Sequence, residues 1–210
     1  MLASLPSGAR PRGAARREAL LDAVLRIVAE VGVDAVTHRR VAEVAGLPLA
    51  STTYWFESKE HLLTAALERA ADRDIERLRA LLGDAPEPGA DPLDLVVEAI
   101  LDPTDDSIQA SRGWLLATFA LLLEAARRPA LREVRDRWTD AYLELLPPLL
   151  AAAGSRSPRS DTQLLLAAAD GLLLEQLASG DESEAPPSGP ADLPALTPQL
   201  RRLADALVKA

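Results

Sequence analysis

Apolar positions recur at helical spacing along almost the whole chain. From Glu18 onward Leu21, Val24, Val28 and Val31 lie three or four residues apart and Gly32 ends the run, which predicts a first helix. Thr37 stands in N-cap position for a second, short helix through Arg39, Arg40, Val41, Ala42, Val44 and Ala45, closed by Gly46. Leu47 and Pro48 turn the chain into a third short segment, Leu49 to Phe56, and Ser58 caps a fourth helix that opens with Lys59 and Glu60. Leu67, Ala70, Ile75, Leu78 and Leu82 carry one apolar face of that helix to about Leu82, where Gly83 and a Pro-rich stretch to Pro92 break it. Further helices are predicted over 93–101, 107–127, 129–153, 160–179 and 197–209, with linkers at 154–160 and 180–195. Pro147 and Pro148 should kink the helix they interrupt. The expected fold is all-α.

Composition agrees: 39 Leu against 15 Val plus Ile favours straight-chain helix formers over β-branched strand formers. It also removes whole classes of chemistry. Without Cys there is no disulfide, thiol nucleophile or thiolate metal site, and a reducing cytoplasm suits the chain. His38 and His61 are the only histidines, so no His-based triad can be built beyond residue 61. Asp105 with Asp106, and Asp181 with Glu182, read as solvated or capping loop acids rather than a general acid and base. No Gly-rich phosphate loop is present. The expectation is a protein that is not an enzyme and needs neither metal nor cofactor. The longest apolar run, Trp114 to Leu123, is half of what a bilayer requires, and no apolar stretch backs the early Arg residues as in a secretory signal. A cytoplasmic protein with no membrane partner is expected.

The net charge of -9 speaks against a general nucleic-acid binder, but it is unevenly spread. Residues 1–63 hold eight basic and seven acidic side chains, leaving 15 basic and 25 acidic ones for the rest. A near-neutral head on an acidic body suits a protein that presents one end to DNA. Residues 1–15 are expected to be a flexible basic arm, 16–63 a helix-turn-helix domain, and 64–210 a larger helical domain. A helix, a Gly turn and a second short helix is how side chains are offered to a major groove. Leu-Ala-Ser-Thr-Thr-Tyr-Trp, residues 49–55, spends three hydroxyls and two amphipathic aromatics in seven positions, which a core helix has little use for. An ordinary three-helix subdomain is the other reading that these residues leave open.

The stretch from Thr37 to Leu63, with its Thr cap, Ala45-Gly46 turn, Tyr54-Trp55-Phe56 close and Ser58-Lys59-Glu60 cap, resembles the DNA-binding head of the tetracycline-repressor (TetR) family. The resemblance covers about residues 16–70. It departs from the commoner pattern in having Ala50 where Gly is usual, and Thr53 where the usual Tyr falls, with Tyr54 one place later. It implies a three-helix head and a helical effector-binding and dimerisation domain, in a repressor released from a palindromic operator by a small apolar ligand. By resemblance Arg39 contacts bases or phosphates; Leu49, Ala50, Ser51 and Thr53 face bases; Thr37, Thr52, Tyr54, Trp55 and Lys59 meet phosphates; Arg40 and Pro48 belong to the same surface. The implied partners are double-stranded operator DNA, a small-molecule effector and a second copy of the chain. The alternative is a helical small-molecule carrier or scaffold without DNA binding.

In the larger domain, Trp114, Phe119, Leu122, Trp138 and Tyr142 gather most of the aromatic matter near the Pro147-Pro148 kink, and could form either core or a ligand cavity with Glu124 or Gln176 as polar anchor. The segment Leu164 to Leu177 is apolar nearly all round and must be covered on two sides. Either it is the central helix of the larger domain, or it packs on its own domain with one side and on a second subunit with the other; the resemblance implies the second, in a four-helix bundle across the subunit interface. Leu165, Ala168, Leu172 and Leu173 are the residues expected there.

Overall fold

Helix α1 spans Arg10–Val31 in a computed structural model that describes residues 10–83, 89–101, 112–179 and 193–209. The chain is therefore helical from Arg10, eight residues before the expected start, and 10–15 belong to α1 rather than to an arm. Arg12 to Arg17 include three Ala or Gly and no β-branched side chain, so nothing in them resists extending the helix N-terminally. Residues 1–9 of the expected arm lie outside the described residues.

After a 3-10 turn at Val33–Ala35 come α2 (His38–Ala45), α3 (Leu49–Trp55) and the long α4 (Lys59–Gly83). The larger part contains α5 (Pro92–Leu101), α6 (Arg112–Glu124), α7 (Pro129–Leu145), α8 (Pro147–Ala152), α9 (Pro158–Ser179) and, after a second 3-10 turn at Leu193–Leu196, α10 (Thr197–Lys209). The expected 129–153 helix is divided at Leu146, because Pro147 has no N–H to continue the ladder and its ring crowds the preceding turn. Of the expected 107–127 helix, residues 107–111 lie outside the described ones. No strand occurs among the described residues.

Two cores form, and they do not follow the expected boundary at residue 63. The first joins Leu20, Val24 and Ile27 of α1, Val41, Phe56 and the first half of α4 to Ala117 and Leu121 of α6 and to Leu131 and Val134 of α7. The second joins Leu78 of α4 to α5, Tyr142, Leu150, the inner face of α9 and Leu200 of α10. Trp114 and Trp138 pack against both. The head thus closes its core with side chains from the body. Leu121 and Leu131 are fully buried in that seam, where each such side chain contributes roughly 1.5–3 kcal/mol.

Candidate nucleic-acid interface

The Thr37 hydroxyl oxygen accepts from the Arg40 N–H at 3.2 Å while its backbone is extended (φ -138°, ψ 153°), so it caps α2 as the sequence predicts. At the other end Gly46 adopts φ 64°, ψ 31°, the left-handed conformation that lets its N–H and that of Leu47 close on the Glu43 and Ala42 carbonyls at 3.2 and 2.9 Å. A Cβ at Gly46 would meet nothing within 4 Å, so the requirement is backbone conformation and not space. Pro48 then starts α3 with its ψ of 144°, sending the helix off at an angle to α2.

This geometry sorts the expected DNA-facing residues. Thr37, Arg39, Arg40, Pro48, Leu49, Ala50, Thr53 and Tyr54 are exposed, and Tyr54 retains 78% of its accessible surface. Leu49, at 50%, is an apolar side chain left open at the start of α3. Ser51 and Trp55 are half-buried. The Trp55 ring lies over α1, where a Cβ on Gly13 would stand 3.7 Å from it, and it meets Tyr54 edge to face with centroids 5.0 Å apart. Phe56 is buried beneath them, with the Arg17 guanidinium 5.8 Å above its ring centre.

Thr52 is a correction. Expected on a phosphate, it is fully buried and its hydroxyl donates to the Leu49 carbonyl at 2.8 Å. Position 52 falls one helical turn before Phe56, on the face that α3 turns to the core. Lys59 is held within the head as well: its Nζ donates to the Asp34 carbonyl at 3.1 Å and lies 3.8 Å from the Asp34 carboxylate. Arg39 pairs with Glu43 one turn on at 2.9 Å in full solvent, an arrangement worth about 0.3–0.5 kcal/mol that a phosphate could readily displace.

The family model described as "Tetracyclin repressor-like, C-terminal domain" matches residues 87–210. The chain belongs to the tetracycline-repressor family. This TetR-family member is 30% identical over 170 residues to the HTH-type transcriptional regulator BetI of Burkholderia thailandensis, covering 79% of this chain and 83% of that one. A transcriptional regulator from Rhodococcus superposes with a TM-score of 0.71 at 25% identity, covering 92% of this chain and 96% of that one. The multidrug binding protein EbrR complexed with ethidium superposes with a TM-score of 0.58 at 30% identity, covering 90% and 98%.

In the body of this TetR-family regulator the expected ligand residues divide between two surroundings. Leu122 packs on the first core and Phe119 on the second, while Trp114 and Trp138 touch both. Tyr142 is buried and Gln176 half-buried. Glu124, suggested as an anchor, is instead engaged at the end of α6 with Arg128 at 2.8 Å and Arg127 at 3.4 Å. The sequence reading missed the polar group that Trp138 and Tyr142 share: both donate to Asp74 Oδ2, at 2.7 and 2.6 Å. Burial, and then the Asp74 charge, push the Tyr142 hydroxyl well above its ordinary pKa, so it stays a neutral donor. On the outer side of the same helix pair an open groove of about 600 Å³ is lined by six carboxylates, Asp72, Glu76 and Asp140 among them, with Arg79 and Arg137.

The expected interface residues need a further correction. Leu165 and Leu173 are buried in the core of their own subunit, and Ala168 and Leu172 are half-buried against it. The open apolar face of α9 is the opposite one, where Leu164 (52% exposed), Ala167, Gly171 and Leu174 (44%) recur every three or four residues. An all-round apolar segment has no period to say which side faces inward; the approach of α5, α8 and α10 decides it. Asp170, exposed beside this face, has its carboxyl raised above the ordinary range by partial desolvation among its neighbours.

Proposed function

We propose that the protein is a homodimeric repressor that binds a near-palindromic operator through α3 and is released from it by a small apolar molecule taken up in the body. The observation that carries this reading is the open face of α3: Leu49, Ala50, Thr53 and Tyr54 exposed side by side, on a helix held at its entrance by the Gly46 turn and from beneath by Thr52 and Phe56. Such a face matches a major groove, where hydroxyls bond base edges or phosphates and an apolar contact reads the thymine methyl. Two copies related by a two-fold axis place their recognition helices about 34 Å apart, one turn of duplex. The Leu164, Ala167, Gly171 and Leu174 stripe is the surface proposed to join them, its small residues allowing the helices to approach closely.

The relatives support both halves of this reading, one being a helix-turn-helix transcriptional regulator and the other a drug-binding protein solved with a small molecule bound. Among the described residues no helix is long and apolar enough to cross a membrane, in keeping with a cytoplasmic regulator. The test is selection of bound duplexes from random DNA, followed by gel shift of the winner. A recovered inverted repeat, bound by a dimer and lost in Arg39→Ala with the helical circular dichroism unchanged, is the expected result. Recovery of no sequence would leave the carrier or scaffold reading standing instead.

A further inference from the structure

Helix α4 changes allegiance along its length. Leu62, Leu63, Ala65, Ala66, Leu67 and Ala71 belong to the first core, and Leu78 belongs to the second. Between them sit two charged residues that are nearly buried, Asp74 with 14% and Arg77 with 21% of their side chains exposed. One carboxylate here holds four donors. Asp74 Oδ2 accepts from Trp138 Nε1 at 2.7 Å and from the Tyr142 hydroxyl at 2.6 Å, while Oδ1 accepts from Arg77 Nε and Nη2 at 3.0 and 2.8 Å. Arg77 Nη2 also donates to the Ala99 carbonyl at 2.8 Å, so α4, α5 and α7 meet in one network. Five residues earlier Arg69 ties the same helix to the head, through Glu18 at 2.5 Å and Asp22 at 2.6 Å. Apolar surfaces tolerate sliding and rotation, whereas short bonds to a charged group have direction and so select one orientation.

We propose that Asp74 is the positioning residue of the joint between body and head: through Trp138 and Tyr142 it fixes the angle at which α4 leaves the body, and with it the spacing of the two recognition helices. The inference rests on the DNA-binding reading above and deepens it. The lever is long enough to matter. From Asp74 back to Lys59 is 15 residues, about 22 Å of helix at 1.5 Å per residue, so a 10° tilt displaces the tip by about 4 Å. That is about one base-pair step of 3.4 Å, enough to take a head out of register with its half-site.

Because the chain has no Cys, two introduced cysteines take labels alone. Glu57→Cys in the head and Ala152→Cys in the body are both at exposed positions, and spin-labelled chains diluted in unlabelled protein report the head-to-body distance. The distribution should be single and narrow in the parent, and broadened or shifted by several ångströms in Asp74→Asn, Tyr142→Phe and Trp138→Phe. Tyr142→Phe keeps the ring and loses only the hydroxyl, so it carries the test if Asp74→Asn does not fold. On selected operators, the parent should prefer the selected half-site spacing over one longer by a base pair at least tenfold, and the variants less than threefold, with isolated half-sites bound equally. A merely structural network would lower stability and leave both readouts alone. Unchanged distances and unchanged spacing preference in folded variants overturn the proposal. If the parent binds no duplex, the regulator reading fails, while the label distances still decide the joint.

Discussion

Arg69 on α4 reaches across 51 residues of sequence to Glu18 on α1, Nε to Oε2 at 2.5 Å, and its second nitrogen Nη2 meets Asp22 one turn further at 2.6 Å. Arg69 is 7% exposed while its two partners keep about two-fifths of their surface, so the guanidinium is desolvated and the carboxylates are not. Removing the cation leaves Glu18 with Arg73, whose Nη2 lies 3.1 Å from Oε2, and takes from Asp22 the Arg69 nitrogen at 2.6 Å. Since one side of the pair is solvated, Arg69→Met should cost about 1–3 kcal/mol, less than the 3–5 typical of a fully buried pair. Urea unfolding monitored by circular dichroism checks this; a loss below about 0.5 kcal/mol would show that the cluster is no more than a surface pair.

Gly46→Ala should destabilise by about 1–2 kcal/mol, the cost of a Cβ in the left-handed region, and weaken operator binding as α3 shifts against α2. Gly46→Asn should recover most of both, since Asn tolerates that conformation and nothing stands within 4 Å of the new Cβ. Equal damage by Ala and Asn would mean that space, and not φ, controls the position. Melting curves and gel shifts on the same preparations distinguish the two.

Thr52 and Tyr54 are two residues apart and should behave oppositely. Tyr54→Ala, at a 78% exposed position, should leave stability within about 0.5 kcal/mol and weaken DNA binding, by tenfold or more. Thr52→Ala removes a buried methyl and the hydroxyl bonded to Leu49, and should cost about 1–2 kcal/mol while the folded fraction binds DNA almost normally. Binding titrations corrected for the folded fraction give the comparison.

On α9, Leu164→Glu places a charge on the open face, and should yield a monomer by sedimentation with the helical signal retained. Leu165→Ala, fully buried one residue later, should lose about 2–5 kcal/mol and keep its oligomeric state. A chain that is already monomeric at micromolar concentration removes the dimer from the proposal.

Asp91 caps α5 by accepting from the Leu93 N–H at 2.9 Å and pairs with Arg201 of α10 at 2.7 Å; these contacts, the backbone bond first, hold its carboxyl below the ordinary 3.8. A carboxylate with a lowered folded pKa contributes stability that is present above its unfolded value and lost as pH falls through the folded one. Melting temperature should therefore fall on acidification below about pH 4, and Asp91→Asn, which can still cap the helix, should shrink that dependence and converge with the parent at low pH. Parallel slopes for the two proteins would assign the acid sensitivity to other carboxylates.

What is local could be read from the residues alone. Thr37, Gly46, Pro48 and Ser58 act through their own backbone and the next few residues, so caps and turns could be read directly, and with them the helix-turn-helix and its exposed α3. Helical periodicity likewise fixed which face of α4 is apolar. Whatever depends on a partner far along the chain came only from the packing of the helices. Thr52 is inside because Phe56 anchors that side of α3, Leu165 faces inward because α5, α8 and α10 cover it, and Asp74 finds Trp138 and Tyr142 across 64 and 68 residues. A side chain's type states which bonds it can make; only the packing of whole helices states which partner lies within three ångströms of it.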